Sequence, residues 1–183
     1  MSTPARLILV KGAPGVGKSS AARELSKRCP GGVRIEVDTL RNMAINVNWK
    51  RQSEHRAVLS LGAQLAMGFL RSGFAPVILI DTFSGDKLDG FLTEVRTALP
   101  DERIAVAALH ATEAILRERV LGREVGGFRD LEICTAINSE VADGQRDDET
   151  LIDTSTLSPP EVADAIGAIA GLSVPPPPKV NEC

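Results

Sequence analysis

The sequence predicts an α/β domain in which helices cover both faces of a parallel sheet. Short apolar segments alternate with longer segments of helical periodicity along the chain, as is typical of such sheets. The segment Val77–Ile80 contains no polar residue, as expected for a strand buried on both faces. A glycine-rich turn also lies between the first apolar segment and the first helical one. These three observations together predict the fold class.

Five strands are predicted, with bounds Leu7–Val10, Val33–Val37, Val77–Ile80, Ile104–Leu109 and Leu151–Ile152. The predicted helices span Ser19–Cys29, about Glu54–Arg71, about Thr112–Leu121 and Pro159–Ile169. A Pro-Gly-Gly sequence ends the first helix and a proline begins the last one, both of which are common signals for these positions. We assign residues 1–171 to a single domain, and the proline-rich residues 172–183 to a flexible tail.

Composition narrows the class of protein. A length of 183 residues suits one globular domain,. With 21 basic and 24 acidic residues the net charge is -3, so nucleic acid is disfavoured as a partner and would need a local basic cleft. The three cysteines lack metal-like spacing, which favours a reducing compartment. Without a membrane-length apolar segment or a signal peptide, we expect a cytoplasmic monomer or homodimer.

The glycine-rich turn carries the clearest chemical motif. Residues 12–19 match G-x-x-x-x-G-K-[ST], directly after a predicted strand and directly before a predicted helix. In such a P-loop the backbone N–H groups and the helix N-terminus bind phosphate, the lysine reaches the β- and γ-phosphates, and the hydroxyl binds Mg²⁺. We therefore predict a nucleotide site formed by Gly12, Ala13, Pro14, Gly15, Val16, Gly17, Lys18, Ser19 and Ser20. The alternative is a glycine-rich turn with an exposed lysine.

The loop alone does not distinguish kinases from GTPases or mechanical ATPases. The chain has no N-K-x-D sequence for reading guanine and is too short for most helicase or AAA motor cores. The loop and the later sequence Val37-Asp38-Thr39-Leu40-Arg41 together resemble the small P-loop kinases. The chain is thus similar to an AAA-type P-loop kinase domain. This group includes adenylate and shikimate kinases, chloramphenicol phosphotransferase and polynucleotide 5′-hydroxyl kinases. The resemblance spans about Leu7–Gly171 and implies the P-loop NTP hydrolase fold, strand order 2-3-1-4-5, a short lid, and MgATP as cofactor.

Two carboxylates follow predicted strands at the edge where open α/β sheets bind ligands. The resemblance implies that Asp38 is the base for the acceptor hydroxyl, with Arg41 holding the acceptor or the transferred phosphoryl group. The alternatives are a helix N-cap for Asp38 and an exposed surface arginine for Arg41. Asp81 follows the most buried strand, where a carboxylate would assist Ser19 in binding Mg²⁺. Its alternative role is in the turn that leads to Gly85.

The segment after the fourth strand is similar to the R-x-x-G-R entry to the lid of adenylate kinases. Arg119 and Arg123 lie four residues apart, on one helix face. The resemblance implies that Arg119 packs on the adenine, while Arg123 or Arg129 neutralises charge on the transferred phosphoryl group. The alternative is a solvated basic helix. In related kinases the turn after the fifth strand borders the adenine, and Thr154 lies there.

The acceptor site is expected within about Met43–Gln64. Trp49 could stack on a ring of the acceptor or could equally anchor the core, and His55 could bind substrate, although a structural or exposed role is more usual. We therefore predict an ATP-dependent phosphotransferase whose acceptor is a hydroxyl group of a small molecule. The alternatives are a polynucleotide 5′-hydroxyl kinase and a P-loop switch protein that binds nucleotide without phosphorylating an acceptor.

Overall fold

A five-stranded sheet organises the chain in the computed structural model, which describes residues 3–44, 51–123, 128–144 and 146–173. All pairs of neighbouring strands are parallel, and their order is β2-β3-β1-β4-β5. The predicted fold class and strand order are therefore confirmed. The strands are β1 (Leu7–Gly12), β2 (Val33–Glu36), β3 (Val77–Ile80), β4 (Ile104–His110) and β5 (Thr150–Asp153).

Seven helices lie within the described ranges: α1 (Lys18–Ser26), α2 (Val37–Met43), α3 (Gln52–Arg71), α4 (Lys87–Ala98), α5 (Glu113–Leu121), α6 (Leu131–Asp143) and α7 (Pro159–Ile169). The sequence analysis missed α4 and α6. The start of α6 is marked by Asp130, whose side chain accepts a hydrogen bond from the Ile133 backbone N–H, as an N-cap residue does. The second strand is one residue shorter than predicted because Val37 already belongs to α2.

The two faces of the sheet bury separate hydrophobic clusters. Alternate residues of each strand point to opposite faces, so Ile8 and Val10 of β1 belong to the first cluster and Leu7 and Leu9 to the second. The helical residues of the first cluster come from α1, α5, α6 and α7. Those of the second come from α2, α3 and α4. One continuous segment, residues 37–98, thus supplies all the helices that cover one face.

The first cluster extends to the last described residues. Leu172 packs against it, and its backbone N–H donates a hydrogen bond to the Gly167 carbonyl oxygen at 2.9 Å. From residue 174 onward, the predicted tail lies outside the described residues. None of the helices in the described ranges is both long and apolar enough to cross a membrane.

The carboxyl ends of the five strands meet at one edge of the sheet, since all strands are parallel. The glycine-rich loop follows β1, α2 follows β2, and the turn to α4 follows β3. The segments after β4 and β5 lead to α5 and α7. Most of the described residues predicted to bind nucleotide, metal or acceptor lie in these connections or in the helices that follow them, at the edge where such sheets bind ligands,. Gly12 ends β1, and Arg123 and Arg129 lie between α5 and α6.

Candidate active site

The glycine-rich loop bends through three glycines whose φ angles are positive: 146° at Gly12, 101° at Gly15 and 98° at Gly17. A Cβ atom on Gly12 would lie 2.4 Å from the Leu109 carbonyl oxygen, and one on Gly15 would lie 2.8 Å from Val120 Cγ2. Both distances are too short for non-bonded atoms, so only glycine fits at these two positions. The loop therefore packs closely against β4 and α5.

Lys18 begins α1 at the end of this loop. Its Nζ donates hydrogen bonds to the carbonyl oxygens of Gly12, at 2.7 Å, and Ala13, at 2.9 Å. Burial lowers the pKa of Lys18 to about 8, although the nearby carboxylates of Asp81 and Asp38 raise it. A phosphate group beside the ammonium would favour its charged form. The environment of Lys18 thus fits the phosphate-binding role predicted for it.

A cavity of about 350 Å³ lies over the loop, within the usual size range of small-molecule sites. Its walls come from the loop, α5 and the segment around the start of α7, and carry both polar and apolar side chains. This mixture suits a ligand with phosphates at one end and a flat ring at the other. The lining residues are Gly15, Val16, Gly17, Lys18, Ser19, Ser20, Arg119, Arg123, Thr154, Leu157, Pro159 and Val162.

The side chain of Thr154, which is 1% exposed, joins three elements at the wall of this cavity. Its Oγ1 lies 3.0 Å from the carbonyl oxygens of both Val16 and His110. Arg119 donates one hydrogen bond to Thr154 Oγ1, at 3.0 Å, and another to the Thr154 carbonyl oxygen, at 2.8 Å. Both residues were predicted to border the nucleotide base, but their contact with each other was not predicted. The contact fixes the guanidinium group at the cavity wall.

Ser19 contacts a carboxylate that the sequence analysis missed. Its Oγ donates a hydrogen bond to Glu36 Oε2 at 3.0 Å. Glu36 is the last residue of β2 and also pairs with Arg34, whose Nε lies 3.3 Å from Glu36 Oε1. From the sequence, this strand was predicted to extend to Val37, with Asp38 as the carboxylate at its end. The sequence did contain a signal for Glu36, because an acidic residue near the carboxyl end of a predicted strand lies at the edge where such sheets bind ligands.

The carboxylate of Asp81 is buried directly after β3. Its Oδ2 accepts a hydrogen bond from the Phe83 backbone N–H at 3.0 Å, and His55 Nε2 lies 3.3 Å from the same oxygen. Burial raises the pKa of Asp81, but hydrogen bonds from His55 and Phe83 and the charge of Lys18 lower it below its usual range. Asp81 is thus an ionised carboxylate near Lys18 that also takes part in the turn. His55 is buried against it rather than exposed.

Asp38 is the second residue of α2 and not the end of the second strand, because the helix begins at Val37. Glu36 occupies the N-cap position, so the alternative role of Asp38 as an N-cap is wrong. The Asp38 side chain is exposed, and its charge is close enough to Lys18 to raise the pKa of that lysine. Arg41, one turn further along α2, is only 6% exposed. The alternative of an exposed surface arginine is therefore also wrong.

The lid arginines differ in their surroundings. Arg123 lines the cavity, and its NH1 donates a hydrogen bond to the Phe128 carbonyl oxygen at 3.0 Å. Arg129 is exposed. Trp49 lies outside the described residues. Among the predicted site residues that the structure describes, those of the loop, Asp38, Asp81, Arg119, Arg123 and Thr154 therefore come together around Lys18 or the cavity.

Within the described ranges, no group of three or more histidine, cysteine, aspartate or glutamate side chains is arranged to hold a metal ion. Mg²⁺ that binds with a nucleotide usually takes one or two protein ligands and completes its coordination with phosphate oxygens and waters. Ser19, with the buried carboxylate of Asp81 also near Lys18, fits a site of that kind.

Comparison with known proteins gives a family and a set of similar folds. A family model described as an AAA domain matches residues 7–143. No curated protein sequence matches the chain significantly. The structure of the Deinococcus radiodurans tunicamycin resistance protein is similar, with 23% identity and a TM-score of 0.70 over 94% of this chain and 99% of that one.

Two further solved structures share this fold. A gluconokinase from Sinorhizobium meliloti 1021 is 22% identical, with a TM-score of 0.63 over 93% of this chain and 94% of that one. A chain of the Pnkp1/Rnl/Hen1 RNA repair complex is 17% identical, with a TM-score of 0.60 over 80% of this chain and 48% of that one. At these identities the likeness shows a shared fold.

Proposed function

Because the chain belongs to this AAA domain family and shares the fold of P-loop kinases, we propose that it transfers the γ-phosphoryl group of MgATP to a hydroxyl group of a small molecule. The observation that carries the proposal is the position of Asp38. Its exposed carboxylate lies near the ammonium of Lys18, where a base for an acceptor hydroxyl is needed. A protein that only binds nucleotide needs no base at this position, whereas transfer to an acceptor hydroxyl uses one.

Each side chain has a defined part in this reaction. Lys18 and the loop N–H groups bind the β- and γ-phosphates, and Ser19, oriented by Glu36, is a metal ligand assisted by Asp81,. Mg²⁺, when bound, neutralises charge on the phosphates. Asp38 accepts the proton of the acceptor hydroxyl as that oxygen attacks the γ-phosphorus, while the bond from this phosphorus to the bridging oxygen breaks and ADP leaves.

The cavity walls and the exposed segment directly before α6 supply the remaining groups. Arg119 and Thr154 border the base of the nucleotide. Arg123 and Arg129 neutralise the negative charge that develops on the transferred phosphoryl group. The acceptor lies on the opposite side of Lys18, beside Asp38 and Arg41. The hydroxyl group of an antibiotic is one example of such an acceptor, since a tunicamycin resistance protein shares the fold.

The test measures transfer of labelled phosphate from MgATP to a panel of small alcohols, sugars and sugar acids. With an acceptor found in this way, Asp38→Asn should lower kcat by about 10²–10⁴-fold, the usual contribution of a general base. Binding of ATP should persist. Asp101→Asn is the matched control, because Asp101 is exposed and precedes β4 at the opposite edge of the sheet. Full transfer activity in Asp38→Asn would show that another group is the base.

A polynucleotide 5′-hydroxyl kinase is the second candidate, favoured by the Asp38 and Arg41 pair on α2 and by the fold shared with a chain of an RNA repair complex. An oligonucleotide with a 5′-hydroxyl group belongs in the same panel. Preferential labelling of that oligonucleotide would select this candidate. Slow hydrolysis of ATP with no labelled acceptor of either kind would instead favour a nucleotide-dependent switch protein.

A further inference from the structure

The turn between β3 and α4 brings basic side chains together beside Asp81. Lys87, the first residue of α4, is 9% exposed. Burial lowers the pKa of Lys87, the nearby positive charges of Arg56 and Arg41 lower it further, and Asp81 is among the groups that raise it. Arg56 also contacts Asp86, the residue directly before Lys87. We call this group of side chains, Lys87, Arg56 and Arg41, the cationic pocket.

The protein does little to neutralise the positive charge of the Lys87 ammonium group. Its Nζ donates a hydrogen bond to Ser84 Oγ at 2.7 Å. In the part of the chain that the structure describes, no carboxylate forms a salt bridge with it. Lys11 is buried to a similar degree but lies 2.8 Å from Glu149 Oε2. A buried ammonium is costly unless an anion pairs with it, so Lys87 is arranged differently from the structural lysine of the same fold.

The carboxylates nearest to Lys87 make other contacts. Asp81 lies against His55 and the Phe83 backbone N–H. Glu140 accepts a hydrogen bond from the Gly85 backbone N–H at 2.6 Å. Arg56 lies 2.5 Å from Asp86, but both side chains are at least half exposed, and a pair so exposed is weak and easily exchanged. Lys87 and Arg56 therefore retain positive charge that an incoming anion could neutralise.

The pocket also lies within reach of the reaction centre. The charge of Asp81 acts on both Lys18 and Lys87, so both ammonium groups lie near this carboxylate. Arg41 is on α2, one turn after Asp38. A molecule whose hydroxyl lies beside Asp38 would thus extend towards Lys87 and Arg56.

Resting on the proposed function, we propose that the cationic pocket binds an oxyanion of the acceptor, a carboxylate or a phosphate, and so selects acidic small molecules. Guanidinium and ammonium groups bind both oxyanions with charge-assisted hydrogen bonds. The net charge of -3 favours a small acid over a nucleic acid,.

The first test compares matched acceptors, with the full chain and MgATP. Glycerate and glycerol phosphate are set against glycerol, and gluconate against sorbitol. The acidic acceptors should have a kcat/KM at least about tenfold higher, the effect of one charge-assisted hydrogen bond. Lys87→Gln should remove most of this preference through a higher KM for the acidic acceptor, whereas Lys87→Arg should keep part of it. Lys27→Gln, at an exposed pair on α1, is the control and should behave as the unaltered protein.

Equal use of neutral and acidic acceptors would overturn the inference, as would a preference that survives Lys87→Gln. The relative activity of glycerate and glycerol phosphate identifies which oxyanion is bound. A 5′-hydroxyl oligonucleotide used better than every small acid would overturn the assignment to small acids.

The second test does not depend on phosphoryl transfer, so it separates failure of the pocket from failure of the proposed function. With the loop filled by Mg²⁺ and a non-hydrolysable ATP analogue, sulfate should raise the Tm of the full chain. Lys87→Gln and Arg56→Gln should each reduce this increase, and Lys27→Gln should not. An equal increase in all four proteins would show that the pocket binds no oxyanion, whether or not an acceptor is found.

Discussion

At the scale of single residues, Lys11 and Lys18 have different roles because their surroundings differ. Lys11 is neutralised by Glu149, whereas the hydrogen bonds that Lys18 makes to described residues go to carbonyl oxygens of its own loop. The ammonium of Lys18 must therefore leave those carbonyls, or share its protons with them, when phosphate binds. Its pKa of about 8 means that the charge is lost at moderately alkaline pH in the free protein.

This pKa predicts how ATP affinity depends on pH. Lys18 is charged below pH 8 and neutral above it, whereas bound phosphate should keep it charged,. Binding then takes up a proton, and affinity should fall by up to about tenfold per pH unit above pH 8. Calorimetry with ATP in EDTA between pH 8 and 10 measures this effect. Lys18→Arg stays charged over the whole range, so its affinity should be weaker but nearly flat. A flat profile for the unaltered protein would contradict the prediction.

At the scale of elements, the nucleotide site depends on a contact between parts that are distant in sequence. Thr154 follows β5, Val16 lies in the loop after β1, and His110 ends β4. Arg119 of α5 also contacts the Thr154 side chain. The position of the cavity wall is therefore determined jointly by the loop, two strands and one helix, and a change at Thr154 should affect both stability and binding.

Thr154→Val tests this coupling. Valine keeps the volume but removes the hydroxyl, which leaves buried polar groups without a partner, at a cost of about 1–3 kcal/mol in the free energy of unfolding. The KM for ATP should rise as well, because Arg119 loses one of its two contacts. Urea denaturation and steady-state kinetics measure the two effects. Thr156→Val, at an exposed position of the same turn, should change neither.

The elements also show what could be predicted from sequence. The glycine-rich loop was predictable because its motif is local, and β3 because four consecutive apolar residues mark a buried strand. Helix α4 was missed although Leu88, Phe91, Leu92 and Val95 have helical spacing. The contact between His55 and Asp81 joins residues 26 positions apart. No local pattern reveals such a pair, since only the packing of α3 against β3 brings the two side chains together.

At the scale of the whole molecule, a buried ion pair joins the central strand of the sheet to the segment before the edge strand β5. Lys11 of β1 and Glu149, just before β5, are 138 positions apart, and their side chains are 8% and 0% exposed. Lys11 directly precedes Gly12, so the pair holds the segment before the last strand against the start of the glycine-rich loop. Neither residue was singled out from the sequence, because each looks like an ordinary surface charge.

Removal of either charged side chain of the Lys11–Glu149 pair should strongly destabilise the protein. Lys11→Met or Glu149→Gln would leave an uncompensated buried group, at a cost of about 3–5 kcal/mol in the free energy of unfolding. Replacing both by apolar residues should cost less than the sum of the two single changes, and urea denaturation of all three variants measures the difference. Lys27→Met, which breaks an exposed pair with Glu24, should cost no more than about 1 kcal/mol. Equal losses for Lys11→Met and Lys27→Met would contradict this account.

The separation of the helices between the two faces of the sheet has a consequence for evolution. The continuous segment 37–98 carries Asp38, Arg41, Arg56 and Lys87, and its helices share no buried cluster with those around the nucleotide cavity. Substitutions on these helices, as opposed to β3, can reshape acceptor recognition while the packing beneath the ATP site stays intact. A fold divided in this way can acquire new phosphate acceptors without rebuilding its use of ATP.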